Sequence, residues 1–343
     1  VPGEQPDTRD WIKLNTNENP FPPSPRVEEA IRKAAADLTR YPNPTSAGSR
    51  AALAGHYGLQ AEQVLVGNGS DDVLNLLLRA FAGPDQSTAA IEPSYSLYPI
   101  LTSVQNAPFE KIPLGEDLSL PVEAIGESKA RLFFLTSPNA PLGIGFSNAS
   151  LEKILEVFSG ILVVDEAYAA FAQESAIPLL RKHPRLVVTR SFSKSHGLAG
   201  LRIGFLLGHP ELVLQLDKVR DSYNVDSLAQ AGLLGALQDP DYFRAIIGKI
   251  RNIRNYYQQW LENLGWYTFP SQTNFLTTRP CARSGDFGPE IARSCFEYLK
   301  QQKILVRFFP NTPRIADCLR ISIGSEDQME TLENALLNWR EQT

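Results

Sequence analysis

Between residues 60 and 210 short apolar runs alternate with helix-like stretches, and few folds accept that order. The runs are 64–66, 89–91, 132–135, 161–164, 186–188 and 203–207. They lack the polar alternation of a half-exposed strand, as strands covered on both faces do. Stretches 73–81, 151–158 and 177–182 fall between several of them and read as helices. This predicts an α/β domain with a mainly parallel sheet between helices. Ligands of such sheets bind outside the carboxyl ends of the strands, so the segments just after each run are the places to look for chemistry.

The rest of the chain reads differently. Pro20, Pro22, Pro23 and Pro25 follow Asn15, Asn17 and Asn19, which predicts an extended arm, because proline interrupts helices and restricts the residue before it. A helix fits 26–38. Beyond 210 come helices at 211–222 and 241–264, a strand at 273–277, a helix at 288–302, a strand pair at 304–308 and 318–323, and a helix at 326–341. That is a smaller α+β domain. A length of 343 residues favours two lobes. The expected division is a large domain at 41–225 and a discontinuous small domain from 1–40 and 226–343.

Composition excludes several classes of function. The net charge of −5 argues against nucleic acid or an anionic membrane as partner. Cys281, Cys295 and Cys318 are odd in number and lack CxxC spacing, so they read as small buried side chains. His56, His183, His196 and His209 lack zinc-site spacing, and no metal is expected. No apolar run has the length of a membrane span, and the first ten residues are polar and unlike a signal peptide. A cytoplasmic address is the default expectation.

Five segments carry chemistry. Ser191-Phe192-Ser193-Lys194 follows the run 186–188, with Arg202 eight residues after the lysine. Hydroxyls and a guanidinium suit a phosphate, and the lysine beside them can form a Schiff base with an aldehyde. The ordinary alternative is a solvated basic loop. Asp165, followed by Glu166, Ala167 and Tyr168, stands at the end of 161–164. A carboxylate there suits a pyridine nitrogen, and equally suits a simple helix cap. Gly67-Asn68-Gly69-Ser70-Asp71 opens the helix 73–81, as a phosphate loop or as an ordinary turn. Tyr95 follows 89–91 and reads either as core packing or as a stacking platform for a flat ring. Ser137-Pro138-Asn139-Ala140-Pro141 is a turn after 132–135.

In this order the five segments resemble the class I and II aminotransferases of fold type I, over nearly the whole chain. Leu14-Asn15-Thr16-Asn17-Glu18-Asn19-Pro20, Arg40-Tyr41-Pro42 and Cys318-Leu319-Arg320-Ile321 resemble its histidinol-phosphate branch. The resemblance implies pyridoxal 5′-phosphate as cofactor and Lys194 as the catalytic residue that binds it and moves a proton at the substrate Cα. It implies Asp165 at the pyridine nitrogen, Tyr168 at the phenolic oxygen and Tyr95 on the ring. Gly69, Ser70, Asp71, Ser191, Ser193 and Arg202 would surround the phosphate. Tyr41 would reach the cofactor of a second subunit, making a homodimer. Arg307, Arg320 and Asn19 would bind the substrates, L-histidinol phosphate and 2-oxoglutarate or L-glutamate, in a ping-pong reaction.

One position departs from the family pattern. Asparagine usually precedes the proline of the turn and meets the cofactor's phenolic oxygen, and here that residue is Ala140. Either Asn139 supplies the contact, or Tyr168 and the lysine linkage hold the oxygen without it. Three other readings stand beside the first. They are an aromatic amino-acid aminotransferase, a threonine-phosphate decarboxylase, and a pyridoxal-phosphate-binding regulatory domain. The last lacks support from a DNA-binding segment ahead of the arm or from positive charge.

Overall fold

The computed structural model describes residues 3–8 and 10–343. Val1, Pro2 and Arg9, part of the expected arm, lie outside the described residues. The first strand, β1 (Ile12–Lys13), belongs to that arm. The next seven are β2 (Val64–Gly67), β3 (Thr88–Glu92), β4 (Phe109–Pro113), β5 (Leu132–Thr136), β6 (Ile161–Asp165), β7 (Leu186–Ser191) and β8 (Gly204–Gly208). They form one sheet in the order β2-β8-β7-β6-β5-β3-β4. Strand β8 is antiparallel to both neighbours, and every other pair is parallel.

Both faces of the sheet are buried, which is why its strands read as unbroken apolar runs. Leu132 and Phe134 enter one core with Val163, Val187 and Leu206. Phe133 and Leu135 enter the other with Val164, Val188 and Leu207. Successive side chains point to opposite faces, so each run serves two cores at once.

A second sheet of four strands is antiparallel, in the order β12-β13-β10-β9. Its strands are β9 (Tyr267–Thr268), β10 (Phe275–Arg279), β12 (Arg307–Phe308) and β13 (Leu319–Ser322), with β11 (Ile304–Leu305) just before β12. The helices Pro240–Asn263, Pro289–Gln301 and Glu326–Glu341 supply its core, which includes Trp339, Ile250, Leu299 and the arm's Leu14. The expected strand 304–308 is split. Its first half pairs in parallel with β1, and its second half pairs with β13, so the arm is tied to this sheet.

Several elements escaped the sequence reading. Strand β4 is the sheet edge and mostly exposed, so it has no apolar run. Helix Ser227–Leu237 is nearly all small or apolar and shows no periodic face. It is capped by Asp226, which accepts from the amides of Leu228 and Ala229. It packs against Pro25–Ala35, and Val27, Ala229 and Leu233 join a core of the large sheet. Helices Ala47–Tyr57 and Leu97–Val104 were also missed, and the helix expected at 26–38 ends at Ala35.

Gly204 is where sheet and site meet. A Cβ there would lie 2.3 Å from the Ser70 amide nitrogen and 2.5 Å from the Gly69 carbonyl carbon. Both are backbone atoms and cannot rotate away. Gly204→Ala is therefore expected to destabilise the protein by about 1–3 kcal/mol, checked by urea denaturation.

Candidate active site

Parallel pairing brings the strand ends level. Thr136, Asp165 and Thr189 are partners across β5, β6 and β7. On the other side Gly67, Gly204 and Ser191 are partners across β2, β8 and β7. Segments far apart in sequence thus converge on one edge.

Asp165 is buried at the end of β6. Its Oδ2 accepts from the Tyr98 hydroxyl at 2.8 Å, and its Oδ1 accepts from Thr189 Oγ1 at 3.2 Å and the Ala167 amide at 3.3 Å. Burial raises its pKa to about 6, against the pull of the Tyr98 and Thr189 hydrogen bonds. The neighbouring carboxylate behaves differently. Glu166 takes both Nε and Nη2 of Arg190, at 2.9 and 2.6 Å. Among the described residues no cation pairs with Asp165. A protonated pyridine nitrogen is a group that fits there. Tyr98, which sequence reasoning missed, is fully buried and stacks on Phe134 with ring centroids 4.8 Å apart.

Lys194 lies in the short helix Phe192–Ser195, directly after β7. Ser191 caps that helix by accepting from the Ser193 amide at 3.1 Å. Burial, helped by the charge of Arg320, lowers the Lys194 pKa to about 8. Its Nζ donates to the carbonyl of Thr16 in the arm at 2.8 Å.

The glycine turn lies against Arg202. Gly69 has φ 83°, and a Cβ there would sit 2.6 Å from Arg202 Nη2. Arg202 donates to Asp71 at 3.2 Å, and the Tyr95 hydroxyl donates to the same carboxylate at 3.4 Å. Tyr95 is more than one-third exposed, its ring edge-on to Tyr98. Gly69, Ser70, Asp71, Ser191, Ser193, Arg202 and Tyr95 therefore gather around one edge, with close backbone approach and a guanidinium suited to a phosphate.

Tyr168 is buried, and burial raises its pKa. Its hydroxyl accepts from Asn17 Nδ2 at 2.8 Å. Asn17 is another residue missed from sequence, although it lies within the arm motif. Arg320 and Arg307 are partners across β13 and β12, and both guanidiniums lie over the Phe309 ring, at 5.4 and 5.7 Å. Arg320 donates to the Asn15 carbonyl at 3.0 Å, while its buried Nε has no hydrogen-bond partner among the described residues. Burial, with Arg307's charge, lowers its pKa. Among the described residues it has no carboxylate within salt-bridge distance, which suits a ligand that brings an anion.

Three further expected residues make the following contacts within the chain. Asn19 Nδ2 donates to the carbonyls of Lys194 and Ser195 at 3.1 and 3.2 Å, so it braces the lysine's backbone. Asn139 ties its turn to the segment after β3: Nδ2 donates to the Pro93 carbonyl and Oδ1 accepts from the Leu142 amide, each at 3.1 Å. Tyr41 is strongly exposed and stacks on Tyr223, centroids 4.7 Å apart.

Residues 9–336 match the family model for aminotransferase class I and II. The histidinol-phosphate aminotransferase of Citrifermentans bemidjiense is 45% identical over 339 residues, 98% of this chain and 94% of that one. The histidinol-phosphate aminotransferase of Geotalea daltonii is 44% identical over 339 residues, 98% of this chain and 95% of the relative. Among solved structures, histidinol-phosphate aminotransferase from Sinorhizobium meliloti in complex with pyridoxal-5′-phosphate has a TM-score of 0.89 and 27% identity. That match covers 97% of this chain and 91% of the other.

The raised pKa of Asp165 has a consequence for stability in the cofactor-free protein. The folded carboxyl holds its proton more tightly than the unfolded one, whose reference is 3.8. Stability from this group is full below the unfolded value and falls as pH rises toward the folded value near 6. Asp165→Asn removes that dependence. Relative to the parent, the variant should gain roughly 3 kcal/mol between pH 3.5 and 7, read from paired denaturation curves.

Proposed function

The chain belongs to the class I and II aminotransferases, and from that premise we propose that it moves the amino group of L-histidinol phosphate to 2-oxoglutarate. It is an aminotransferase with the fold-type I architecture and uses pyridoxal phosphate. The observation that carries the reading is the pairing of a buried carboxylate lacking a cation, Asp165, with a lysine, Lys194, whose amine burial pushes toward neutrality.

When bound, pyridoxal phosphate supplies an electron sink for the pair of electrons left when the substrate carbon loses a proton. Asp165 would hold the pyridine nitrogen in its protonated form. Lys194 Nζ is the amine that would hold the cofactor's aldehyde, and it would also take the proton from the substrate Cα. At pH 7.5 roughly a quarter of an amine of pKa about 8 is neutral, against about one in a thousand for an ordinary lysine. Arg202 with the Gly69–Asp71 turn, Ser191 and Ser193 binds the phosphate, and Tyr95 covers the ring. Arg202 now pairs with the Asp71 carboxylate, and the phosphate would compete for the same guanidinium. Arg320 and Arg307 hold the far anion of each substrate. Both substrates carry an amine or carbonyl at one end and an anion at the other, so they take turns in one site.

The lobes divide near 41–225 on one side and 1–40 with 226–343 on the other, except that Pro25–Ala35 and Ser227–Leu237 pack into the core of the large sheet. Tyr41, exposed here, reaches the site of a second copy in a homodimer. No helix among the described residues is long and apolar enough to cross a membrane. A cytoplasmic biosynthetic enzyme accords with that.

Two outcomes follow. Arg320→Lys keeps the charge and loses the two-pronged donor set, so KM for both substrates should rise by about tenfold, with kcat less affected. In a spectral titration of the pyridoxal-phosphate-loaded protein, L-histidinol phosphate should discharge the cofactor band at far lower concentration than L-phenylalanine. Preference for phenylalanine would move the substrate assignment to aromatic amino acids.

A further inference from the structure

Ala140 stands where the resemblance calls for asparagine, and the structure makes that point of the turn apolar. Ala140 is buried in one cluster with Tyr168 and Phe275. The adjacent amide of Asn139 is engaged at both ends, by the Pro93 carbonyl and the Leu142 amide. The amide that does meet Tyr168 comes from the arm. We propose that Asn17 is a positioning residue that replaces the missing amide by holding the Tyr168 hydroxyl, leaving the phenol's own proton to serve the cofactor's ring oxygen. This rests on the cofactor assignment made above.

The hydrogen bonds around Asn17 determine which way its amide points. The Asn17 backbone N–H donates to Ser322 Oγ at 2.8 Å. That serine's proton goes to Asn17 Oδ1 at 3.0 Å. Oδ1 therefore faces a donor, and Nδ2 is left facing the Tyr168 oxygen at 2.8 Å. The residue has little freedom otherwise. It is buried, its carbonyl accepts from Asn274 Nδ2 at 3.0 Å, and its φ of 56° is in the left-handed region that asparagine tolerates better than most residues.

A phenol has one proton and can accept from two directions. With Asn17 donating, Tyr168 must use its proton elsewhere. Its ring is fixed edge-on to Phe275, centroids 5.3 Å apart. An amide at 140 would have served the ring oxygen itself. Asn17 works one step back, by fixing the direction of the tyrosine's proton. The arm thus contributes to the electronic setting of the site as well as covering the lysine.

The sharpest test reverses the polarity of this contact. Aspartate has nearly the shape of asparagine, tolerates the same backbone conformation and still accepts from Ser322. Its second oxygen faces Tyr168 as an acceptor and takes the phenol's proton. The measurement is the pH midpoint of the absorbance change of bound pyridoxal phosphate, in the parent, Asn17→Asp, Tyr168→Phe and the double variant. Loss of the phenol's hydrogen bond leaves the ring oxygen more basic, so Asn17→Asp should raise the midpoint by about one unit, a tenfold change in proton affinity. In the Tyr168→Phe background the same substitution should shift it by less than half as much. An unchanged midpoint in Asn17→Asp overturns the proposal. So does an equal shift with and without the Tyr168 hydroxyl, which would mark a plain charge effect. A parent protein that develops no cofactor band would overturn the cofactor assignment and this proposal together. A normal parent band with unmoved variants overturns this proposal alone.

Discussion

Adjacent parallel strands end level with one another, and the rest of the site depends on that constraint. The pairing of Thr136, Asp165 and Thr189 across three strands delivers a carboxylate and two hydroxyls to one short stretch of edge. The antiparallel entry of β8 is the needed variation. It returns the chain from Arg202 to pair Gly204 with both Gly67 and Ser191, which carries the glycine turn and the lysine helix to the same edge. Gly204 permits the turn to sit directly on that strand, because any side chain would collide with backbone.

Charges are distributed unevenly in this frame. Glu166 and Arg190 neutralise each other in the interior. Asp165, Lys194 and Arg320 are instead shifted toward their uncharged forms by burial. Burying such groups without an opposite charge costs stability, and that cost persists in proteins where a ligand later brings the charge. Under the proposed function a pyridinium beside Asp165, an aldehyde for Lys194 and an anion for Arg320 would each remove one of these costs. The arm meanwhile lends carbonyls to the two cations, Thr16 to Lys194 and Asn15 to Arg320.

Much of this was legible in the sequence, for reasons that differ by element. The buried strands were visible because both their faces are apolar, and the lysine, aspartate and glycine segments because each follows such a run. Helix Ser227–Leu237 was hidden because burial on two sides erases the periodic face, and β4 because exposure removes the apolar run. Tyr98 was invisible for another reason: its partner Asp165 is 67 residues away, and only the packed sheet brings the two together. Asn19 and Asn139 lay in the right motifs, but an asparagine's motif does not say whether its amide serves a ligand or the backbone. Asn17 was in the same motif and was passed over, and its contact with Tyr168 spans 151 residues.

Under the proposed function Lys194, and no other lysine, would carry the cofactor at this edge. Borohydride reduction of the pyridoxal-phosphate-loaded protein, followed by peptide mapping, tests it directly. The account predicts one phosphopyridoxyl group per chain, in the peptide containing Lys194. A label on a different lysine, or no label on any, would contradict it.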